Sequence, residues 1–393
     1  MRYRRFGRTE LSMPVFSCGG MRYQYQWQDV PPEEIPAQNQ ANLEATIRRS
    51  LALGINHIET ARGYGTSELQ LGRVLSNIPR QNYLLQTKVS PNADGQVFRK
   101  TVEQSLRNLQ VDYVDLLGLH GINNAETYRH ALDRGGSLEV ARQLQAEGKI
   151  RFIGFSTHGP TQLILDAIET DAFDYVNLHW YYINQGNWPA IEAAVRHDMG
   201  IFIISPSDKG GQLYNPPPKL VDLCAPLSPM VFNDLFCLSH PQIHTLSLGA
   251  ARPSDFDEHL KALPLLDNAQ ETLRPILRRL EAAAIEALGQ DWYETWDQGL
   301  PSHEDTPAGI NIPVILWLRN LAIAFDLENY ARMRYNLLGQ ASHWFPGNRA
   351  DLLHQVNLQA CLRRSPHADK IPDLLADAHS RLGGPVVQRL SQQ

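Results

Sequence analysis

Apolar residues in the first two-thirds of this chain gather into short runs separated by amphipathic stretches. The runs Pro14–Cys18, Ile55–Glu59, Tyr83–Lys88, Tyr113–Leu119, Arg151–Phe155, Tyr175–His179, Gly200–Ser205 and Thr245–Gly249 are rich in β-branched and aromatic residues, which predicts eight strands. Between them, Ala41–Leu53, Val97–Leu109, Leu138–Glu147 and Trp188–His197 place apolar residues three and four apart, the spacing that gives a helix one apolar face. Strand and helix in alternation imply parallel pairing, and eight such units within about 250 residues fit a closed (β/α)8 TIM barrel. An open doubly wound sheet shows the same alternation, but no G-x-G-x-x-G follows the early strands, so the dinucleotide fingerprint of that fold is missing. The opening segment, RYRRFGRTELSMP, reads as a hairpin turning at Gly7-Arg8 and placed to plug one barrel end.

After about residue 270 the rhythm changes to longer helical patterns, Glu271–Leu288, Val314–Phe325 and Tyr330–Leu338, separated by Pro- and Gly-rich turns. The fold class expected is therefore α/β, with a barrel over residues 1–265 and an α-helical C-terminal domain over residues 266–393. No low-complexity linker joins them, so the two are expected to pack together.

Composition narrows the class of partner. Charged residues make up 20% of the 393-residue chain and the net charge is −6, which leaves no basic footprint for nucleic acid. No apolar run reaches the roughly 18 residues of a membrane span, and the N-terminus lacks a signal peptide, so a cytoplasmic protein is expected. Cys18, Cys224, Cys237 and Cys361 lie too far apart for a disulfide framework or a complete metal site, and no metal is expected.

In a barrel of this kind the active site lies at the C-terminal ends of the strands, so polar residues that end apolar strands are the ones to read. Glu59 ends the second run and leads into Thr60-Ala61-Arg62-Gly63-Tyr64-Gly65; Lys88 ends the third, and His120 follows the fourth. A tyrosine hydroxyl is a poor acid near neutral pH, but an ammonium within roughly 4–6 Å lowers its pKa. Lys88 is placed to do this for Tyr64, Glu59 to hold Lys88 charged, and His120 to orient a carbonyl oxygen. Each residue alone has a plain structural reading: a turn tyrosine, a strand-end ion pair, a loop histidine. Their order on consecutive strands favours proton donation to a carbonyl.

The pattern Gly54-Ile55-Asn56-His57-Ile58-Glu59-Thr60-Ala61-x-x-Tyr64-Gly65-x-x-Glu68, then Thr87-Lys88, then Asp115-Leu116-Leu117-x-x-His120, resembles the aldo-keto reductase superfamily over roughly residues 1–265. The resemblance implies Tyr64 as general acid, Lys88 as its activator, His120 as the carbonyl-orienting residue, and Glu59 in the place of a usual Asp, its carboxylate displaced by the extra methylene. It also implies NADP, or else NAD, as cofactor and a small-molecule carbonyl as substrate. Gly20 and Met21 would border the cofactor. Ser156-Thr157 and Asn177 would hold the nicotinamide carboxamide, Ser205, Pro206 and Gly210 would cover the pyrophosphate, and Gly249, Ala250 and Arg252 would form the adenosine phosphate site. Asp255 stands where a phosphate-binding Arg is common in relatives, which leaves NADP and NAD both open. Two other functions stay open beside carbonyl reduction: a cofactor-binding sensor with little turnover, and an isomerase or epimerase that uses bound cofactor transiently.

The tail, through Ala308–Pro313 and His343–Gly347, resembles the ferredoxin-like domain carried by some relatives. There, two runs of C-x2-C-x2-C-x3-C-P would hold iron–sulfur clusters. Aligned on Pro307 and Pro366, the ligand places fall on Trp296, Gly299, Ser302 and Thr306, and on Gln355, Leu358, Cys361 and Ser365. One thiolate cannot hold a cluster, so the resemblance implies a scaffold without its iron–sulfur centre, serving either as a buttress of the barrel or as a protein-docking module.

Overall fold

The computed structural model describes residues 1–388. A short antiparallel ribbon comes first, β1 (Tyr3–Arg5) paired with β2 (Ser12–Pro14). Eight strands then close a parallel barrel: β3 (Phe16–Gly19), β4 (His57–Glu59), β5 (Leu84–Val89), β6 (Val114–His120), β7 (Ile150–Ser156), β8 (Tyr175–Leu178), β9 (Gly200–Ile203) and β10 (Thr245–Leu248), with β10 returning to β3. Each apolar run is a barrel strand, and the (β/α)8 expectation holds. The seventh run stops short of its expected end because Ser205 takes a left-handed φ of 54° and turns the chain out of the sheet.

The four amphipathic stretches form helices at Ala37–Ala52, Gly95–Leu109, Ser137–Ala146 and Trp188–Arg196. The second of these begins where the Asp94 side chain accepts from the Gln96 N–H (2.8 Å) and ends at Gln110 in a left-handed conformation (φ 54°), so both sets of orphan backbone groups find partners.

Because side chains alternate along a strand, every second residue faces the barrel axis. On β5 these are Leu84, Gln86 and Lys88; the intervening Thr87 faces outward and donates to Glu68 of helix Ser67–Leu75 (2.6 Å). The middle layer is polar: Ser17 Oγ lies 2.7 Å from His57 Nδ1 and 2.7 Å from Thr245 Oγ1. Burial pushes the His57 pKa down to about 3, so the ring is neutral.

The lower end is closed by the hairpin. Phe6, at its turn, is fully buried against Leu11, Met13, Leu116, Tyr175 and Phe202. Tyr175 and Gly200 begin β8 and β9, so the plug sits at the N-terminal ends of the strands. Gly7 has a φ of +53°, and a Cβ there would come within 2.5 Å of the Asp198 carbonyl oxygen. Only glycine fits this approach.

The chain divides into two compact units. The first comprises Met1–Gly210 and Asn233–Ala269; the second comprises Gly211–Phe232 together with the chain from Gln270 onward. Within the second unit, helix Ile312–Phe325 is capped by Asn311, whose Oδ1 accepts from the Val314 N–H (3.2 Å) while its Nδ2 donates to the Pro346 carbonyl (2.8 Å). The two motifs singled out in the tail are thus joined by one asparagine. Where the iron–sulfur resemblance places ligands, Thr306 Oγ1 donates to the Ile310 carbonyl (2.7 Å) and Cys361 Sγ to the Leu358 carbonyl (3.2 Å). Among the described residues no single helix is long and apolar enough to cross a membrane.

Removing the Phe6 ring takes a large apolar group from a site closed on every side. Phe6→Ala is expected to lower the unfolding free energy by about 3–5 kcal/mol, read from denaturant unfolding. A loss under about 1 kcal/mol would mean that the hairpin is dispensable to the barrel.

Candidate active site

The register of the barrel brings the polar strand ends to one level. His120 pairs with Ser156 across β6 and β7, and Ser156 with Asn177 across β7 and β8. One strand back, Lys88 is opposite Gly118, where a Cβ would stand 2.9 Å from the Lys88 Cγ. The missing side chain of Gly118 is the room through which the lysine stem reaches the mouth.

Lys88 and Glu59 are 1% and 3% exposed and form a direct ion pair. Lys88 Nζ also donates to the Thr60 carbonyl (2.7 Å), and Glu59 Oε2 accepts from Ser247 Oγ (3.2 Å). The longer side chain of Glu59 therefore still meets Lys88. Burial pushes the Lys88 ammonium well below the usual lysine range, and the carboxylate and carbonyl contacts are what favour its charged form.

Tyr64 lies in the turn that follows β4, its N–H donating to the Ala61 carbonyl (3.0 Å). Lys88 Nζ sits 4.9 Å from the centre of its ring. The His120 ring meets it edge-on at 5.8 Å, and the Trp27 ring meets it edge-on at 6.2 Å. The segment that carries Trp27 is fastened to this turn by hydrogen bonds from the Tyr25 N–H to Thr66 Oγ1 (3.1 Å) and Gln70 Oε1 (2.8 Å), and by an Arg62–Asp29 ion pair. The four residues read from the strand ends are thus brought together. One expectation is corrected: burial raises the Tyr64 pKa, where proximity to Lys88 alone would lower it.

The expected cofactor residues fall into three groups. Gly20, whose N–H donates to the Glu59 carbonyl (2.7 Å), and the half-buried Met21 follow β3 at the same mouth. Ser156 and Asn177 are neighbours at 2% and 0% exposure, and both polar atoms of the Asn177 amide are buried without a protein partner. A primary amide would satisfy both atoms at once, so this pair fits a carboxamide. Thr157 does not join it, because its hydroxyl donates to the Ile122 carbonyl (2.7 Å) and accepts from the Gly159 N–H (2.9 Å). Ser205, Pro206 and Gly210 form one tight turn after β9, closed by the Lys209 N–H on the Ser205 carbonyl (3.0 Å). Beyond β10, Gly249 and buried Ala250 lead to Arg252, which is exposed and paired with Asp255 (2.9 Å); Asp255 also accepts from the Ala251 N–H (2.9 Å).

Two features escaped the sequence reading. Asp115, part of the motif that leads to His120, is buried as a strand clamp, binding Arg80 (2.6 Å), Arg151 (2.5 Å) and the Leu85 N–H (2.8 Å). His158, His179 and Lys209 converge from the loops after β7, β8 and β9. Their signal in the sequence is a basic residue just beyond each of three strand ends, visible only once the strands are known to be neighbours.

Residues 16–164 match the model of the Aldo/keto reductase family. Over 152 residues the chain is 34% identical to L-galactose dehydrogenase of Arabidopsis thaliana, covering 35% of this chain and 46% of that protein. It is 33% identical over 155 residues to D-arabinose 1-dehydrogenase of Saccharomyces cerevisiae, covering 37% and 43%. The matched part thus spans under half the length of these curated relatives. In fold, an aldo-keto reductase from Bacillus halodurans in its holo form superposes with a TM-score of 0.60 at 20% identity, covering 71% of this chain and 96% of that one. Residues 16–164 thus carry the sequence pattern of the Aldo/keto reductase family, and they lie within the closed barrel.

Proposed function

We propose that the protein is a nicotinamide-dependent reductase of aldehydes or ketones in which Tyr64 donates the proton. The observation that carries this reading is the stacking of functions at one point: the Tyr64 ring over the Lys88 ammonium, itself held by Glu59, with the His120 edge beside it. When bound, a reduced nicotinamide supplies hydride, and Ser156 and Asn177 are the residues placed to hold its carboxamide. Tyr64 gives its hydroxyl proton to the substrate oxygen as negative charge develops there, and Lys88 stabilises the charge left on the tyrosine. His120 orients the carbonyl. Tyr64 is protonated at neutral pH, as an ordinary tyrosine is; because burial raises its pKa, giving up the proton depends on Lys88 to stabilise the charge left behind. A cofactor-binding sensor with little turnover would follow if the longer Glu59 side chain missed Lys88; the direct contact between the two argues against that reading.

For the cofactor, we infer a preference for NADH over NADPH. Asp255 neutralises Arg252 and takes the Ala251 N–H, two groups that a 2′-phosphate would otherwise use. This reverses the order in which the family resemblance alone ranks the two.

Tyr64→Phe keeps the ring and removes the proton, so turnover on an aldehyde panel should fall about 10²–10⁴-fold with cofactor affinity nearly unchanged. The panel includes aldoses and is run in both directions, since both curated relatives are named for sugar dehydrogenation. Near wild-type turnover in this variant would remove Tyr64 from the mechanism.

A raised Tyr64 pKa means that the donor form persists above the pH at which an ordinary tyrosine ionises, about 10. The reductive rate of the wild type should therefore show no tyrosine-type decline up to that pH. A fall centred near pH 8 would instead place the active tyrosine below its ordinary value.

Asp255→Asn should shift the ratio of kcat/KM toward NADPH by about three- to tenfold, a modest effect because the pair is solvent-exposed. An unchanged ratio would show that Asp255 does not govern the choice.

A further inference from the structure

The cations on helix Gly95–Leu109 fall into two environments. Arg99 pairs with Glu147 (2.8 Å). Lys100 and Arg107 meet no carboxylate among the described residues: Lys100 Nζ has no hydrogen-bond or ion-pair partner there, and the Arg107 guanidinium donates to the neutral Gln104 Oε1 (2.8 Å). Residues three, four and seven apart share one face of a helix, so Val97, Lys100, Thr101, Gln104 and Arg107 form a single stripe. A third cation reaches this stripe from the barrel. Arg62, in the turn between β4 and Tyr64, completes with these five residues the lining of an open cavity of about 430 Å³. Small-molecule pockets occupy roughly 300–1,000 Å³.

Three cations that face one cavity repel one another, and they do so on a chain whose net charge is −6. Among the described residues the carboxylate that pairs with one of them is Asp29, which accepts from Arg62 Nη1 (3.0 Å) and lies exposed on the segment that carries Trp27. Glu68, which also acts on Arg62, is buried, and its oxygens accept from Thr87 Oγ1 (2.6 Å) and Asn108 Nδ2 (3.4 Å). The neutral groups of the stripe are already engaged. The Thr101 hydroxyl donates to the Val97 carbonyl (2.8 Å), and Gln104 Nε2 donates to Asn108 Oδ1 (2.8 Å). What the cavity offers a ligand is therefore the N–H groups of two guanidiniums and one ammonium. A guanidinium matches the plane of a carboxylate, and the ammonium serves a further one as a point charge.

We propose that Arg62, Lys100 and Arg107 form a binding site for a small organic polycarboxylate, separate from the site of Tyr64, Lys88 and His120. A carboxylate of the ligand takes the place of Asp29 on Arg62, because an ion pair this open to solvent holds weakly. The Arg62 N–H donates to the Lys88 carbonyl (2.9 Å), so the ligand lies against the turn that carries Tyr64. The exchange also releases one of the ties on the Trp27 segment.

Calorimetric titration of the full-length protein with citrate at fixed ionic strength tests this, and since it needs no turnover it stands even if the reductase reading fails. Lys100→Met and Arg107→Gln, each checked for an unchanged melting temperature, should weaken citrate binding about tenfold. Asp29→Asn removes the competing carboxylate and should tighten it about threefold. Arg48→Gln deletes an exposed cation paired with Glu44 on another helix and should leave affinity unchanged. No citrate binding by the wild type at millimolar concentration would overturn the proposal, as would equal weakening by Arg48→Gln, the mark of diffuse attraction to positive charge. Unchanged or weaker binding by Asp29→Asn would take Arg62 out of the site and overturn it too. Inorganic phosphate bound as tightly as citrate would overturn the polycarboxylate assignment.

Discussion

The buried contact between Lys88 and Glu59 is the constraint around which the barrel mouth is arranged. An ammonium taken out of water loses several kcal/mol of hydration unless a partner charge and further hydrogen bonds replace it. Here the replacement is complete only because four strands cooperate. Glu59 comes from β4, Lys88 from β5, the space for the lysine stem from Gly118 of β6, and a hydroxyl for the second carboxylate oxygen from Ser247 of β10. The same pair fixes the point over which the Tyr64 ring lies, so the chemistry proposed for Tyr64 inherits its geometry from an electrostatic requirement of folding.

Much of this was legible in the chain. Eight apolar runs gave eight barrel strands, and the polar residues ending three of them met at one level, because strand order in a parallel barrel follows chain order. What the chain did not reveal depends on neighbours distant in sequence. The hydroxyl of Thr157 is committed to Ile122, and Asp115 to Arg80 and Arg151, choices made by how strands and loops meet in the fold. The upward shift of the Tyr64 pKa is of the same kind: adjacency to a lysine can be read from strand order, whereas the depth of burial that outweighs it cannot.

The helical tail shows a different limit. Its ferredoxin-like resemblance rests on turn motifs, and in the structure those turns are held by side-chain bonds: Asn311 caps a helix and ties it to Pro346, and Thr306 satisfies a backbone carbonyl of the same turn. These bonds are local and need no metal. The assignment of Gly211–Phe232 to the same compact unit as the tail is invisible in the sequence, since that segment lies between two barrel strands and its short helix Pro218–Cys224 resembles any crossover helix.

The Phe6 plug has a corollary for access. With an aromatic ring packed against Leu116, Tyr175 and Phe202 at the lower end of the barrel, any ligand reaching the level of Ser156 and Asn177 would approach from the opposite, polar end of the strands.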